Sequence, residues 1–330
     1  MRKVNILITG ASGYLGRNLV TKLLNNDNFN LTGLDISTNE SISKSIKFIK
    51  ADLDNISLLS DALNGIDIIC HCAGLHGLDN TDISADKKYF KSNVIGTQNI
   101  YKEANKKKIK KIVLTSSIAS NSMNLFNLKW PVNEEINSWP DDAYGVSKKK
   151  QEKVAQSYAE TGSIQTIAIR PSPFFKLNNL EMGFRLTGIH AKVDDIVNAH
   201  LAAINVLLDD KRVSKLKMFE AIFATNQLPY KNEDKKLVHF RGDMKNLIMK
   251  YWPNDSKFIF ELGFRKTEFP GVYDLSKAHK ILNWKPLFNF DEWISYCKEN
   301  SLDFQSEKEQ HKSKKSLKSR LKKIILKLKK

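Results

Sequence analysis

Thr9-Gly10-Ala11-Ser12-Gly13-Tyr14-Leu15-Gly16 follows an apolar run at 4–8 and opens directly into an amphipathic stretch at 15–24. Three glycines at this spacing between a strand and a helix have a mechanical reading. One permits the tight turn, one lets the backbone approach a pyrophosphate, and one lets the helix pack closely on the strand. The phosphates then sit at the helix N-terminus, where free backbone N–H groups and the helix dipole favour anions. Gly10, Gly13, Tyr14, Leu15 and Gly16 are therefore candidate dinucleotide-binding residues. Asp35 closes the next apolar run, 19 residues after Gly16. A carboxylate there accepts hydrogen bonds from the adenosine ribose hydroxyls and repels a 2′-phosphate. The sign of its charge favours NAD over NADP, while Arg17 is the cation that keeps NADP open.

Outward from the turn, short β-branched runs alternate with stretches of helical period. Strands are predicted at 4–9, 31–34, 66–71, 111–116 and 165–170, and helices at 15–24, 56–63, 84–105 and 143–160. The alternation predicts an α/β fold, a doubly wound parallel sheet of six or seven strands over residues 1–171. Beyond Pro171 the pattern breaks into a smaller, less regular substrate lobe at 172–305, with the chain crossing back to the sheet near 193–210. Residues 306–330 read as a basic amphipathic tail.

With 330 residues, 41% of them hydrophobic, the chain can bury a sizeable core, which excludes a wholly disordered protein. No stretch approaches the roughly 20 uninterrupted apolar residues of a membrane-spanning helix. The basic N-terminus lacks the apolar region and cleavage site of a signal peptide, so a cytoplasmic location is expected. Cys70, Cys72 and Cys297 are too few for a disulfide framework and read as reduced thiols, and no metal ligand set is evident. The net charge of +17 is largely local: residues 312–330 hold nine lysines, Arg320 and no acid, leaving +7 for the body. The charge is therefore poor support for a nucleic-acid partner. Leu317, Leu321, Ile324, Ile325 and Leu328 recur at helical spacing among these cations. That pattern predicts docking of the tail on an anionic membrane surface.

A second constellation carries chemistry. Tyr144 and Lys148 stand four residues apart, on one face of a predicted helix. A phenol with a pKa near 10 is a poor base at neutral pH. A neighbouring ammonium, together with the positive ring of an oxidised nicotinamide, is expected to bring that pKa down. Thr115-Ser116-Ser117 ends a strand 27 residues earlier, where a hydroxyl can bond the reacting oxygen.

The glycine turn, Asp35, Asp52-Leu53, His71-Cys72-Ala73-Gly74, Asn93 to Thr97, Ser116-Ser117, Tyr144 with Lys148, Arg170-Pro171 and Val193 to Ile196 together resemble the extended short-chain dehydrogenase/reductase family. Within it, the chain is similar to the NAD-dependent epimerase/dehydratase group. Asp274 to Ala278 and Leu282 to Pro286 resemble that group's C-terminal signature. The resemblance implies Tyr144 as catalytic acid/base, Lys148 as the residue that lowers its pKa and holds the nicotinamide ribose, and Ser117 as the group orienting the substrate oxygen, with Ser116 its substitute. It further implies Asp52 and Leu53 beside the adenine, Ala73, Gly74 and Pro171 lining the cofactor, Asn93 in the same site, and a homodimer. Hydride transfer at a carbinol carbon of a sugar or nucleotide-sugar is the activity it implies, by epimerisation or oxidation. A dehydrogenase or reductase of a non-nucleotide alcohol or ketone, and a silent cofactor-binding scaffold, are the alternatives. Dehydratases of the group carry an Asp-Glu pair after the catalytic hydroxyl, where this chain has Ile118-Ala119, which disfavours dehydration. Val193 follows Pro171 by only 22 residues, so the nucleotide-sugar pocket is expected to be short. His71 reads as a packing residue, and His76 and His190 take no assigned role.

Overall fold

The computed structural model describes residues 2–78, 84–121, 125–136, 138–238, 244–264, 271–300 and 304. The predicted tail at 306–330 lies outside them. Seven strands form one parallel sheet: β1 (Val4–Thr9), β2 (Phe29–Asp35), β3 (Lys47–Lys50), β4 (Ile68–His71), β5 (Lys111–Thr115), β6 (Gln165–Pro171) and β7 (Phe219–Ala224), in the order β3-β2-β1-β4-β5-β6-β7. The order reverses between β1 and β4, which are paired with Ile6 opposite Ile68 and Thr9 opposite His71. Such a reversal leaves a crevice beyond the carboxyl ends of the strands, where open α/β sheets bind ligands.

Helices cover both faces. They are α1 (Tyr14–Leu23), α2 (Glu40–Ser43), α3 (Ile56–Ala62), α4 (Ala85–Tyr89), α5 (Gly96–Lys106), α6 (Ala143–Glu160), α7 (Asn179–Leu186), α8 (Val193–Leu208) and α9 (Asp210–Val213). One face packs Ile6, Ile8, Cys70, Ile167 and Ile222 against Leu19 and Leu23 of α1 and Ile196, Ala203 and Ile204 of α8. The other packs Leu7, Ile69, Ile112 and Leu114 against Leu59 of α3, Ile100 and Tyr101 of α5 and Ala155 of α6. Helix α6 begins where Asp142 accepts a hydrogen bond from the Gly145 amide at 2.6 Å, a side-chain cap on an otherwise unpaired donor.

The structure differs from the sequence pattern at three places. The stretch predicted as one helix at 84–105 is α4 and α5 joined by a wider-turned segment, Phe90–Ile95, around Asn93. Strand β3 is short, with lysine at both ends, as suits a sheet edge exposed to water. Strand β7 returns to the sheet 48 residues after β6 ends, so the crossing extends beyond 193–210.

The remaining helices, α10 (Lys245–Tyr251), α11 (Ser256–Glu261), α12 (Ser276–Leu282) and α13 (Phe290–Glu299), lie in the C-terminal region. Most of that region packs around a separate aromatic core with Phe223, Trp252, Phe264, Phe290 and Trp293. Asp195 at the start of α8 joins this region to the sheet. Its carboxylate accepts the amides of Leu287 at 2.8 Å and Phe288 at 3.2 Å, and its carbonyl accepts the Trp284 indole N–H at 3.0 Å. The motifs at Val193 to Ile196 and Leu282 to Pro286 thus meet through Asp195 and Trp284.

Candidate active site

A cleft of about 740 Å³ runs along the carboxyl edge of the sheet, from Asp35 and Asp52 at one end to Ser117, Tyr144 and Lys148 at the other. The glycine turn forms its middle. Gly10 has φ +69°, and a Cβ there would lie 2.7 Å from the Ala73 amide nitrogen. At Gly16 a Cβ would lie 2.0 Å from the Gly10 carbonyl oxygen, so the helix meets the turn too closely for any side chain. Gly13 stands at the head of α1 with no side-chain cap, which leaves the helix N-terminus to a ligand. Tyr14 and Leu15 line the cleft beside it. The residues therefore fit a dinucleotide: an anion-binding helix end in the centre, an acid at the ribose position, and Leu53 and Ala73 as apolar walls.

Asp35 does more than the sequence reading asks of it. One carboxylate oxygen accepts the Ser12 amide at 3.0 Å, and the other accepts the Ser37 amide at 3.0 Å and its hydroxyl at 3.1 Å. The acid thus braces the glycine turn from the end of the neighbouring strand.

At the other end, Ser117 is buried and lines the cleft together with Tyr144. The Ser117 hydroxyl oxygen accepts the Ala119 amide at 3.1 Å. The Lys148 ammonium lies 6.0 Å from the centre of the Tyr144 ring and donates to the Thr115 carbonyl and the Gln151 side-chain oxygen, each at 2.9 Å. Burial pushes the phenol up to about 12 against the lowering effect of Ser117, with Tyr89 and Asp142 adding to the rise. Burial likewise lowers Lys148 to about 8. The lowering expected from Lys148 together with an oxidised nicotinamide is not seen on the protein alone, where desolvation is the largest influence on the phenol and Lys148 is not among the charges acting on it.

His71 is fully buried, and its two ring nitrogens lie 2.7 Å from the Thr9 hydroxyl and 2.9 Å from the Thr97 hydroxyl. The Thr97 hydroxyl gives its own proton to the Asn93 carbonyl at 2.6 Å, so it can only accept from the imidazole. Counting donors therefore assigns the neutral Nε2–H form, with Thr9 donating to Nδ1. Thr9 in turn accepts the Ala73 amide at 3.2 Å, and Thr97 also accepts the Gln151 amide nitrogen at 2.8 Å. A buried row of hydrogen bonds thus joins the cleft wall at Ala73 to Lys148. Burial and the nearby Lys148 charge hold His71 at about 3, far below an ordinary imidazole.

Asn93 is not among the cleft-lining residues. It is fully buried, accepts the Leu75 amide at 2.7 Å, and donates to the Leu75 carbonyl at 3.0 Å and the Ser147 hydroxyl at 2.9 Å. It clamps the loop after β4 to α6. Ser116 turns away from the phenol to donate to Glu152 at 2.5 Å. Glu152 also receives a two-pronged contact from Arg170, at 2.8 and 2.7 Å. Gln151 and Glu152 escape the motif reading, yet they stand seven and eight residues after Tyr144, on the same face of α6. That periodicity is the signal that finds them. Pro171 and Gly74 line the cleft, as do Phe174 and Phe175, with the Phe174 ring stacked on Tyr14 at 6.4 Å. His76 also lines it, whereas His190 is buried against the Phe175 ring at 6.0 Å. No group of three His, Cys, Asp or Glu side chains among the described residues is placed to hold a metal ion.

The sequence profile described as NAD dependent epimerase/dehydratase family matches residues 6–178. UDP-glucose 4-epimerase of Vibrio cholerae is 29% identical over 170 residues, 51% of this chain and 51% of that protein, so the alignment spans about half the length of each. The decarboxylating sterol-4-alpha-carboxylate 3-dehydrogenase of Candida albicans is 25% identical over 364 residues, 92% of this chain and 98% of that protein. Among solved structures, MoeE5 in complex with UDP-glucuronic acid and NAD superposes with a TM-score of 0.64 at 19% identity, covering 90% of this chain and 100% of that one. UDP-glucuronic acid 4-epimerase from Bacillus cereus in complex with NAD gives 0.61 at 18% identity, covering 89% and 99%. At these identities the superpositions establish the fold.

Proposed function

The chain belongs to the NAD dependent epimerase/dehydratase family, and from that premise we propose that it carries out NAD-dependent hydride transfer at a carbinol carbon of a sugar or nucleotide-sugar. The supporting observation is the meeting of Ser117, Tyr144 and Lys148 at one end of a cleft whose other end is Asp35 and the glycine turn.

In this proposal Gly10, Gly13 and the amides opening α1 hold the pyrophosphate. Asp35 takes the adenosine ribose, Asp52 and Leu53 flank the adenine, and Ala73, Gly74 and Pro171 line the nicotinamide end. When bound, the dinucleotide supplies the hydride acceptor and, oxidised, a positive charge beside the phenol. Ser117 orients the substrate oxygen, Tyr144 accepts its proton, and Lys148 adds a buried cation that favours the phenolate. Catalysis of this kind needs the base within hydrogen-bond reach of the proton it takes, and the shared position of Ser117 and Tyr144 on the cleft wall supports that arrangement. Asn93 acts at one remove, by fixing the loop that carries Gly74 and Leu75.

One observation favours a second substrate class. The match to the sterol-4-alpha-carboxylate 3-dehydrogenase runs almost the full length of both chains, and the substrate end of the cleft is walled by Leu75, Ile118, Ala119, Pro173, Phe174 and Phe175. An apolar alcohol oxidised in a net redox reaction fits such walls. The two substrate classes separate on cofactor retention. The purified protein is freed of unbound nucleotide and denatured, and any released dinucleotide is identified by absorbance and mass. Near-stoichiometric NAD supports an internal hydride cycle, because epimerisation regenerates its own cofactor. An empty site that binds NADH reversibly supports a dehydrogenase, and failure to bind any dinucleotide overturns both.

A further inference from the structure

The proposed chemistry leaves one nucleophile at the cleft unused. Cys72 is half-buried and lines the cleft beside Ala73, Gly74, Thr115 and Lys148. Its sulfur lies 3.7 Å from that of Cys70, which is fully buried in the sheet. The donors around Cys72 can be counted. His200 gives its Nδ1 proton to the Ile196 carbonyl at 2.8 Å, so its Nε2 accepts the Thr115 hydroxyl proton at 2.9 Å. Thr115 is thereby committed elsewhere, and Cys70 is the neighbour placed to donate to the Cys72 sulfur once Cys72 has lost its own proton. The Cys70 hydrogen bond and the Lys148 charge pull the Cys72 thiol below its ordinary value against the effect of burial. Partial exposure, a neighbouring ammonium and a thiol donor are the surroundings in which a cysteine reacts as thiolate.

We propose that Cys72 is a modification site, a cleft-facing thiol that takes soft electrophiles and peroxides and is shielded when a dinucleotide fills the cleft. With peroxide, the Cys72 sulfur attacks one oxygen, the S–O bond forms as the O–O bond breaks, and the departing hydroxide takes up a proton as water. Sulfur is oxidised by two electrons to sulfenic acid and the peroxide is reduced. The product stays at Cys72. A disulfide to Cys70 would have to close 3.7 Å to about 2.05 Å, and Cys70 is held in register between Ile8 and Val113 on both sides of β4.

The shielding part rests on the proposed dinucleotide site, whereas the reactivity does not. The full chain is treated with iodoacetamide at neutral pH, and the labelling rates of Cys72 and Cys297 are read by peptide mass spectrometry. Cys297, buried in the C-terminal region, is the internal control. Cys72 is expected to label about tenfold faster than Cys297, and Cys70→Ala to slow it about threefold by removing the donor. Hydrogen peroxide followed by a sulfenic-acid trap is expected to mark Cys72 alone. Equal rates at Cys72 and Cys297 overturn the site. Saturation with NAD or NADH, verified by calorimetry, is expected to suppress Cys72 labelling, and a dinucleotide that binds without suppressing it overturns the shielding. If calorimetry detects no binding, the proposed cofactor site fails while the labelling rates still decide the thiol.

Discussion

At Tyr144, solvation and function pull in opposite directions. Burial keeps the phenol protonated up to about 12, yet a proton acceptor must spend time as phenolate. In the proposed chemistry the resting site stores a neutral phenol, which becomes a base only when positive charge arrives beside it. Tyr144→Phe keeps the ring and removes the acceptor. It is expected to lower turnover by about 10²- to 10⁴-fold while the dinucleotide still binds, as titration of cofactor fluorescence will measure. Equal losses of binding and turnover would assign Tyr144 to cofactor grip rather than proton transfer.

At the scale of elements, two contacts decide how strand ends face one another. The first is the turn before α1. A methyl at Gly16 would sit 2.0 Å from the Gly10 carbonyl oxygen, which is backbone and cannot swing aside. Gly16→Ala is expected to push α1 off the turn and abolish dinucleotide binding, with a lowered Tm, both readable in one thermal-shift titration. The second contact is Arg170 on Glu152. Burial raises the Glu152 carboxyl, but the Arg170 charge and hydrogen bonds and the hydrogen bond from Ser116 overcome it, leaving the group below its ordinary value. Removing one member of a buried pair strands the other, so Glu152→Gln is expected to destabilise the fold by about 3–5 kcal/mol in denaturant melts.

These same elements show what a linear reading can see. The glycine turn, Asp35, Tyr144 and Lys148 announce themselves because each acts within one strand-helix unit, at a spacing set by local geometry. Arg170 and Glu152 are 18 residues apart and on different elements, and no local pattern pairs them. Asn93 matches a motif by position, yet its place behind the cleft wall depends on Leu75 and Ser147, from two other segments. Strand β3 carries too few apolar residues to stand out, and β7 lies in a region whose other residues build the aromatic core. Periodicity marks elements that bury one face locally, whereas pairings between distant segments appear only once the sheet is assembled.

For the whole molecule, neutral buried histidines set the acid limit. Burial, with Lys148 nearby, lowers His71 to about 3. Burial and Arg185 bring His190 to about 4, and burial lowers His200 to about 4. Each folded value lies below the unfolded one near 6.5, so the unfolded chain binds protons first as pH falls. Stability is therefore full above about 6.5 and drains below it, at about 1.4 kcal/mol per pH unit for each histidine, down to about 4 for His190 and His200 and about 3 for His71. Denaturant melts at pH 7, 6 and 5 are expected to show this steepening, and a flat profile would mean that the rings are solvated. The tail is a separate matter of charge. Residues 312–330 are expected to carry the chain to vesicles containing anionic lipid and not to neutral ones, with binding lost when 306–330 are removed, as co-sedimentation will measure. No helix among the described residues is long and apolar enough to cross a membrane.

The row from Ala73 through Thr9, His71, Thr97 and Gln151 to Lys148 has direction as well as continuity. Its histidine proton can sit on only one nitrogen, since Thr97 has already given its own hydrogen to Asn93. That asymmetry writes a rule of substitution for the chain. Serine can replace either threonine, because it gives and takes as threonine does. Valine has the same shape and breaks the sentence in the middle, stranding an imidazole N–H at Thr97 or a bare ring nitrogen at Thr9. A hydroxyl is thus what each of these two buried positions must supply.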